Sequence, residues 1–127
     1  FTIDIRSPDI NKLEKMESEL REIAIDICNK YKVKFEMDQI GGFDPVAFDK
    51  ECLDNIRNSA DKFGYSHKDI VSGAGHDACW INTVAPSAMI MCPCVDGLSH
   101  NEAEEIKPEW AFSSTNVMLH AAIDSAK

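Results

Sequence analysis

Residues 71–105 read VSGAGHDACWINTVAPSAMIMCPCVDGLSHNEAEE. In this stretch a glycine-rich turn runs into His76, an apolar run follows, and a polar loop then carries His100. Glycine lets backbone N–H groups approach a ligand closely, and a histidine in a polar loop is free to bind a metal or a substrate. The arrangement is typical of a hydrolase site. A protein zinc site uses three or four ligands, and no second cluster of His, Asp and Glu at ligand spacing occurs elsewhere in the chain.

The composition is that of an acidic chain of one-domain size. Its 127 residues are 44% hydrophobic, which is enough for a modest core. The 22 Asp and Glu residues exceed the 13 Lys and Arg residues, and the net charge of −9 repels nucleic-acid phosphates and anionic lipid. No apolar run approaches the roughly 18 to 20 residues of a membrane span. We therefore expect no nucleic-acid partner, no membrane partner and a cytoplasmic location.

The five cysteines are odd in number, and four of them lie in apolar surroundings. This usage favours free buried thiols in a reducing compartment, so we predict no disulfide. The sequence Cys92-Pro93-Cys94 could suggest a metal or redox site. Without another Cys or His pair at ligand spacing that signal is weak, and structural thiols are the favoured interpretation.

The first part of the chain predicts a strand followed by a long helix. Residues 1–6 alternate apolar and polar side chains like a strand already under way, and the chain lacks an initial Met. It therefore looks like a piece of a longer protein. Ser7 can cap a helix with Pro8 at its first position, and apolar residues recur at helical spacing as far as Tyr31. This pattern predicts a helix of about six turns.

A second strand and a boundary follow this helix. Residues 33–37 alternate again as a strand, and two glycines and a proline within residues 41–45 interrupt regular structure. Asp49 can then cap a helix that Gly64 ends. The later elements expected are a strand over 69–71, a helix over 76–84, a strand over 87–92 and a helix from Pro108 toward Ser125. Because strands and helices alternate, the second unit is predicted to be α/β.

Several separate stretches together resemble one enzyme family. FTIDIRSPD at 1–9, SGAGHDA at 72–78, GLSHNEAEE at 97–105 and VMLHAA at 117–122 follow the order seen in hydantoinase/carbamoylase amidases. That family takes in N-carbamoyl-L-amino acid hydrolases, β-ureidopropionases and allantoate amidohydrolases, and it belongs to the di-metal, M20-like peptidase class. The resemblance covers the whole chain but only about the last third of a family member.

The resemblance implies a parent protein of two domains. Residues 1–43 would be a strand–helix–strand piece, the second half of a lid and dimerisation domain. Residues 44–127 would be the C-terminal part of a di-zinc aminopeptidase-like catalytic α/β domain. The boundary at 41–45 falls where the hinge between these domains would lie. A homodimer or a higher oligomer is expected, because a fragment cut through two sheets would expose strand edges.

The resemblance also implies roles for individual residues. His100 in GLSHN matches the family's last metal ligand, and Arg6 in DIRSPD matches the lid arginine that pairs with the substrate carboxylate. Gly75 and His76 in GAGHD match the turn that contacts the substrate's amide or carboxyl group. The implied reaction is hydrolysis of the ureido or amide C–N bond of N-carbamoyl amino acids or related ureido acids by a metal-bound water.

The implied cofactor is a pair of divalent metal ions, with zinc expected and manganese, cobalt or nickel as alternatives. In the family, the general base and the other ligands come from an HxD motif, a Glu-Glu pair and a further His, all upstream of Phe1. This chain therefore supplies no catalytic residue. By itself it should be inactive and should bind no metal tightly, since one imidazole falls short of a metal site.

Each of these roles has an alternative interpretation in which the residue has no function in binding or catalysis. His100 could be a loop histidine bonded to backbone or solvent, Arg6 a solvated charge, and His76 a helix cap. The acidic run Glu102, Glu104 and Glu105 is expected to be a solvated face. A second function class also stays open, a stand-alone, non-catalytic oligomerisation or binding module derived from such an enzyme. An upstream HxD motif and Glu-Glu pair would favour the enzyme, and a nearby start codon would favour the module.

Overall fold

A computed structural model describes residues 1–127, and its regular structure is entirely helical. The helices are α1 (Ile10–Tyr31), α2 (Lys50–Lys62), α3 (Asp77–Ile81) and α4 (Pro108–Ser125), with a 3-10 turn at Val95–Gly97. None of them combines the length and the apolar character that crossing a bilayer requires. The chain divides into two compact units: unit 1 is Phe1–Ala47 with Val71–Ala74, and unit 2 is Phe48–Ile70 with Gly75–Lys127.

The structure contains no β-strand, so the strands predicted at 1–6, 33–37, 69–71 and 87–92 are not supported. A strand exists only where a neighbour completes its ladder of backbone hydrogen bonds. No backbone hydrogen bond joins residues 1–6 to residues 33–37 within unit 1. Alternation of apolar and polar residues indicates which side of a segment is apolar, but it does not supply the pairing partner. The strand–helix–strand prediction therefore holds for its helix alone.

Helix α1 begins and ends through local hydrogen bonds. The Asp9 carboxylate accepts bonds from two backbone N–H groups of the first turn, at 3.0 and 3.4 Å. At the other end Lys32 adopts a left-handed φ of 56°, and its N–H bonds back to the last turn. The length of 22 residues confirms the predicted six turns. The cap, however, is Asp9 and not Ser7, and Pro8 precedes it, because the Asp9 carboxylate is the group that reaches the free N–H groups.

Unit 2 is held together by α2 and α4, the one pair of helices in contact. Asp49 caps α2 as predicted, with its carboxylate 2.9 Å from the backbone N of Cys52. Helix α4 runs from Pro108 to Ser125, also as predicted. The buried residues of the chain all belong to this pair of helices: Ser59, Ala60, Val117 and Ala121. The core of unit 2 is thus a narrow seam of small side chains.

The buried hydroxyl of Ser59 leads to a stability prediction. Ser59 is 1% exposed and its Oγ has no hydrogen-bond partner. Burying an unpaired polar group costs about 1–3 kcal/mol, and alanine is also the better helix former. Ser59→Ala is therefore expected to raise the free energy of unfolding by about 1–2 kcal/mol, measured by chemical denaturation. The control is Asn58→Ala on the exposed face of α2, where only the helix-propensity gain of roughly 0.5 kcal/mol applies. Destabilisation by Ser59→Ala would mean that the hydroxyl is in fact bonded.

Much of the apolar surface of unit 1 is uncovered. Helix α1 buries no residue, and Ile23 and Ile27 on it remain 58% and 51% exposed. These side chains line an open groove of about 470 Å³ together with Phe1, Ile3 and Val33. Soluble monomers rarely expose contiguous apolar faces of this kind.

Candidate functional site

The loop of residues 94–105 carries His100 on a constrained backbone. Its two ends are joined by a hydrogen bond from the Val95 N–H to the Glu105 carbonyl, with N and O 2.8 Å apart. Asp96 and His100 adopt left-handed φ angles of 55° and 57°. Residues other than glycine enter this region at a cost in free energy, because Cβ crowds the backbone. The loop is therefore a closed turn whose shape depends on specific bonds.

Glu104 supplies two of those bonds. Its Oε2 accepts a hydrogen bond from the His100 N–H at 2.9 Å, and its Oε1 lies 3.7 Å from the Sγ of Cys94. Desolvation, together with the charge of Glu104, raises the pKa of the Cys94 thiol, so this thiol stays protonated and can donate at neutral pH. Glu104 is exposed, as predicted for a solvated face, and its carboxylate makes these two contacts in addition. The signal that could have found it is a carboxylate four residues after a loop histidine.

The imidazole of His100 is exposed and makes no hydrogen bond or ion pair, since the one bond of this residue is through its backbone. A neutral imidazole offers a nitrogen lone pair that suits zinc and other divalent transition metals. No group of three or more His, Cys, Asp and Glu residues that could hold a metal ion occurs in residues 1–127. The donor chemistry therefore fits His100 as one contributor to a metal site and not as a site by itself.

The glycine-rich turn precedes helix α3. The Ala74 N–H donates to Ser72 Oγ at 3.1 Å, which closes a small turn in unit 1. Gly75 and His76 belong to unit 2, where His76 is the N-cap residue of α3 in an extended conformation. The helix predicted over 76–84 is shorter, Asp77–Ile81, because the chain beyond it continues in single turns. His76 thus stands at the entrance of α3, and its side chain makes no cap hydrogen bond with this helix.

Arg6 lies in unit 1, and its guanidinium is already engaged. Its Nε lies 3.0 Å from both carboxylate oxygens of Asp4, and its Nη1 donates to the carbonyl of Gly73. The hydrogen bond with Arg6 lowers the pKa of Asp4, and the bond with Asp4 raises the pKa of Arg6. Both side chains remain accessible, at 61% and 62% exposed. A substrate carboxylate at Arg6 would have to displace the Asp4 carboxylate or share the guanidinium with it.

An ion-pair cluster outside these residues fixes the segment that precedes the glycine turn. Arg57 on α2 pairs with Asp69 through Nη2 and Oδ2 at 2.8 Å, and with Asp54 at 2.6 Å. Hydrogen bonding to Arg57 lowers the pKa of Asp69. The Asp54–Arg57 spacing on a helix is readable from the sequence, but the bond to Asp69 depends on how the chain turns after α2. His120 lies on α4, where its ring centroid is 4.6 Å from that of Phe63 and the two ring planes are tilted by 60°.

The sequence matches Peptidase family M20/M25/M40 over residues 2–124. The N-carbamoyl-L-amino-acid amidohydrolase of Rhizobium meliloti is 51% identical over 127 residues, which are 100% of this chain and 30% of that protein. The allantoate amidohydrolase of Escherichia coli is 31% identical over 104 residues, 82% of this chain and 25% of that protein. The chain thus spans less than a third of the length of these curated relatives.

Solved structures give the same result. The amidase of the hydantoinase/carbamoylase family from Burkholderia multivorans matches with a TM-score of 0.86 and 47% identity, over 91% of this chain and 28% of that one. The family member from Burkholderia vietnamiensis matches with a TM-score of 0.81 and 46% identity, over 92% of this chain and 28% of that one. The backbone path described above is therefore that of one part of a larger known fold.

Proposed function

The chain belongs to Peptidase family M20/M25/M40, and we propose from this premise that it forms the C-terminal part of a metal-dependent amidohydrolase. The proposed reaction is hydrolysis of the ureido or amide C–N bond of N-carbamoyl amino acids or related ureido acids. The observation that carries the proposal is the 51% identity, along the whole chain, to an N-carbamoyl-L-amino-acid amidohydrolase. Relatives named for allantoate support the wider class of ureido acids.

We propose that His100 is one ligand of a pair of divalent metal ions, zinc or in its place manganese, cobalt or nickel. Its exposed imidazole, which makes no bond within the chain, supports this role. Bound metal would lower the pKa of a coordinated water and so supply the nucleophile. The remaining ligands and the general base would come from outside residues 1–127, as the family resemblance implies.

Arg6, Gly75 and His76 are proposed to bind the substrate. The guanidinium of Arg6 offers a planar fork of N–H donors that matches a carboxylate. At the entrance of α3, the backbone N–H of Gly75 and the His76 imidazole would stabilise negative charge that develops on the attacked carbonyl oxygen. The exposure of Arg6 supports its role, and its pairing with Asp4 implies that substrate binding includes an exchange of carboxylates.

The domain assignment accompanies this proposal. Residues 1–43 would belong to a lid and dimerisation domain and residues 44–127 to the catalytic α/β domain, with the unpaired segments of the chain completing sheets in the whole protein. The division between Ala47 and Phe48 lies close to the proposed boundary and supports it. A homodimer or higher oligomer is proposed on the uncovered apolar face of α1. The unpaired cysteines are those expected of a protein in the reducing cytoplasm.

The proposal is tested on the complete protein that contains these residues. Purified protein is expected to release ammonia from N-carbamoyl amino acids, N-carbamoyl-β-alanine or allantoate, to lose this activity with a chelator, and to regain it with zinc, manganese, cobalt or nickel. Ammonia release is measured across the substrate panel before and after metal removal. If no member of the panel is hydrolysed with any restored metal, the non-catalytic oligomerisation or binding module becomes the better interpretation.

A further inference from the structure

Glu104 ties the metal-ligand candidate to the start of its own loop. Its Oε2 accepts a hydrogen bond from the backbone N–H of His100, four residues earlier, at 2.9 Å. Its Oε1 lies 3.7 Å from the Sγ of Cys94, ten residues earlier. One carboxylate thus connects the first residue of the 94–105 loop with the residue that carries the imidazole. The Glu104 N–H also donates to the Asn101 carbonyl at 3.0 Å, which fixes the position of Glu104 itself.

The bond to His100 acts on a residue in an unfavourable conformation. The φ of His100 is 57°, in the left-handed region that residues with a Cβ enter at a cost. An ionised carboxylate is a stronger acceptor for an N–H group than a neutral oxygen, so Glu104 can offset that cost. The φ angle sets the direction in which Cβ leaves the backbone. The bond that holds φ therefore also holds the direction of the Cα–Cβ bond from which the imidazole extends.

We infer that Glu104 is a positioning residue for His100, and this rests on the proposed function in which that imidazole binds a divalent metal. Glu104 uses both carboxylate oxygens within the loop and acts through His100. An imidazole whose backbone is already fixed loses less conformational freedom when it binds metal. Removal of groups that orient a metal ligand typically weakens metal affinity about 10- to 100-fold.

The test measures zinc affinity of the complete protein by competition with a chelator, and the visible absorption of the cobalt-substituted protein. Glu104→Ala is expected to weaken zinc binding about 10- to 100-fold and to change the cobalt spectrum, which reports the coordination geometry. Glu104→Gln keeps one acceptor oxygen at the same reach but removes the charge, so it should lose less zinc affinity than Glu104→Ala. The matched control is Glu102→Ala, because Glu102 lies in the same loop, carries the same charge and makes no hydrogen bond. It should leave both measurements unchanged.

The inference would be overturned if Glu104→Ala kept the zinc affinity and the cobalt spectrum of the wild type. It would also be overturned if Glu102→Ala lost as much zinc affinity as Glu104→Ala, because the effect would then come from the negative charge of the loop. His100→Ala separates the two proposals: unchanged affinity there removes the metal role of His100, whereas a loss there with none in Glu104→Ala removes only the positioning role. If Glu104→Ala does not fold, zinc affinity is measured on Glu104→Asp instead. Its shorter side chain keeps the charge but moves the carboxylate out of reach of the His100 N–H. Equal affinities of Glu104→Asp and Glu104→Gln would then refute the inference.

Discussion

Replacing His100 by alanine in the complete protein is expected to abolish stoichiometric binding of one metal ion and to lower kcat/KM at least about 1,000-fold. A metal ion contributes several kcal/mol of charge stabilisation in the transition state, and each 1.36 kcal/mol corresponds to a factor of ten in rate. The loss should appear in kcat, because the missing metal acts on the chemical step. Metal content by elemental analysis and steady-state kinetics on one ureido acid check this expectation.

The matched control for His100 is His67→Ala. His67 is also exposed and lies in unit 2, where its Nδ1 is 3.7 Å from the Asp61 carboxylate. This substitution removes the same chemical group from the surface and should leave metal content and kinetics unchanged. Full metal content and wild-type kcat in His100→Ala would show that the histidine of GLSHN is an ordinary loop residue.

Replacing Arg6 by alanine is expected to lower kcat/KM about 10- to 150-fold, mainly through a higher KM, for substrates that carry a free carboxylate. Hydrogen bonds to charged groups contribute about 1.5–3 kcal/mol, which sets this range. Arg6→Lys should recover only part of the loss, because an ammonium is a point charge without the planar fork of donors. Asp4→Asn should lower KM, since it removes the carboxylate that competes for the guanidinium.

A substrate pair isolates the role of Arg6. One substrate carries the free carboxylate, and the other is the same ureido compound with that carboxylate converted to a carboxamide. With the carboxamide, Arg6→Ala should change kcat/KM little, because the charged group that Arg6 would bind is absent. The control variant is Arg21→Ala, since Arg21 also lies in unit 1, pairs with Glu17 at 3.0 Å and donates to a backbone carbonyl. Equal losses with acid and carboxamide substrates would mean that Arg6 acts only through its bonds to Asp4 and Gly73.

The helices could be predicted from the sequence because their ends are set by neighbouring residues. Asp49 caps α2 through its own first turn, and Pro108 stands at the first position of α4. The prediction that Ser7 caps α1 was wrong, because serine and aspartate both cap helices and the carboxylate of Asp9 is the group that reaches the free N–H groups. The strands could not be settled in the same way, since a strand depends on a partner distant in sequence.

The candidate site was less accessible to reasoning from residue patterns. The roles proposed for Arg6 and His100 are implied by the family resemblance, and residue spacing alone does not predict them. The bond between Glu104 and the His100 backbone depends on a left-handed residue, and residue type alone rarely predicts that conformation outside glycine. The ion pair of Arg57 with Asp54 is likewise predictable from their spacing on one helix, whereas the ion pair of Arg57 with Asp69 is not.

The dependence of α2 on α4 has a consequence for biosynthesis. At about 5–20 residues per second, a ribosome needs roughly 3 to 13 s to pass from the end of α2 at Lys62 to the end of α4 at Ser125. During this interval the face of α2 around Ala60, which packs against α4 in the folded unit, stays exposed. Packing of α2 therefore waits until α4 has been synthesised, and during that time α2 is open to chaperones that bind emerging chains.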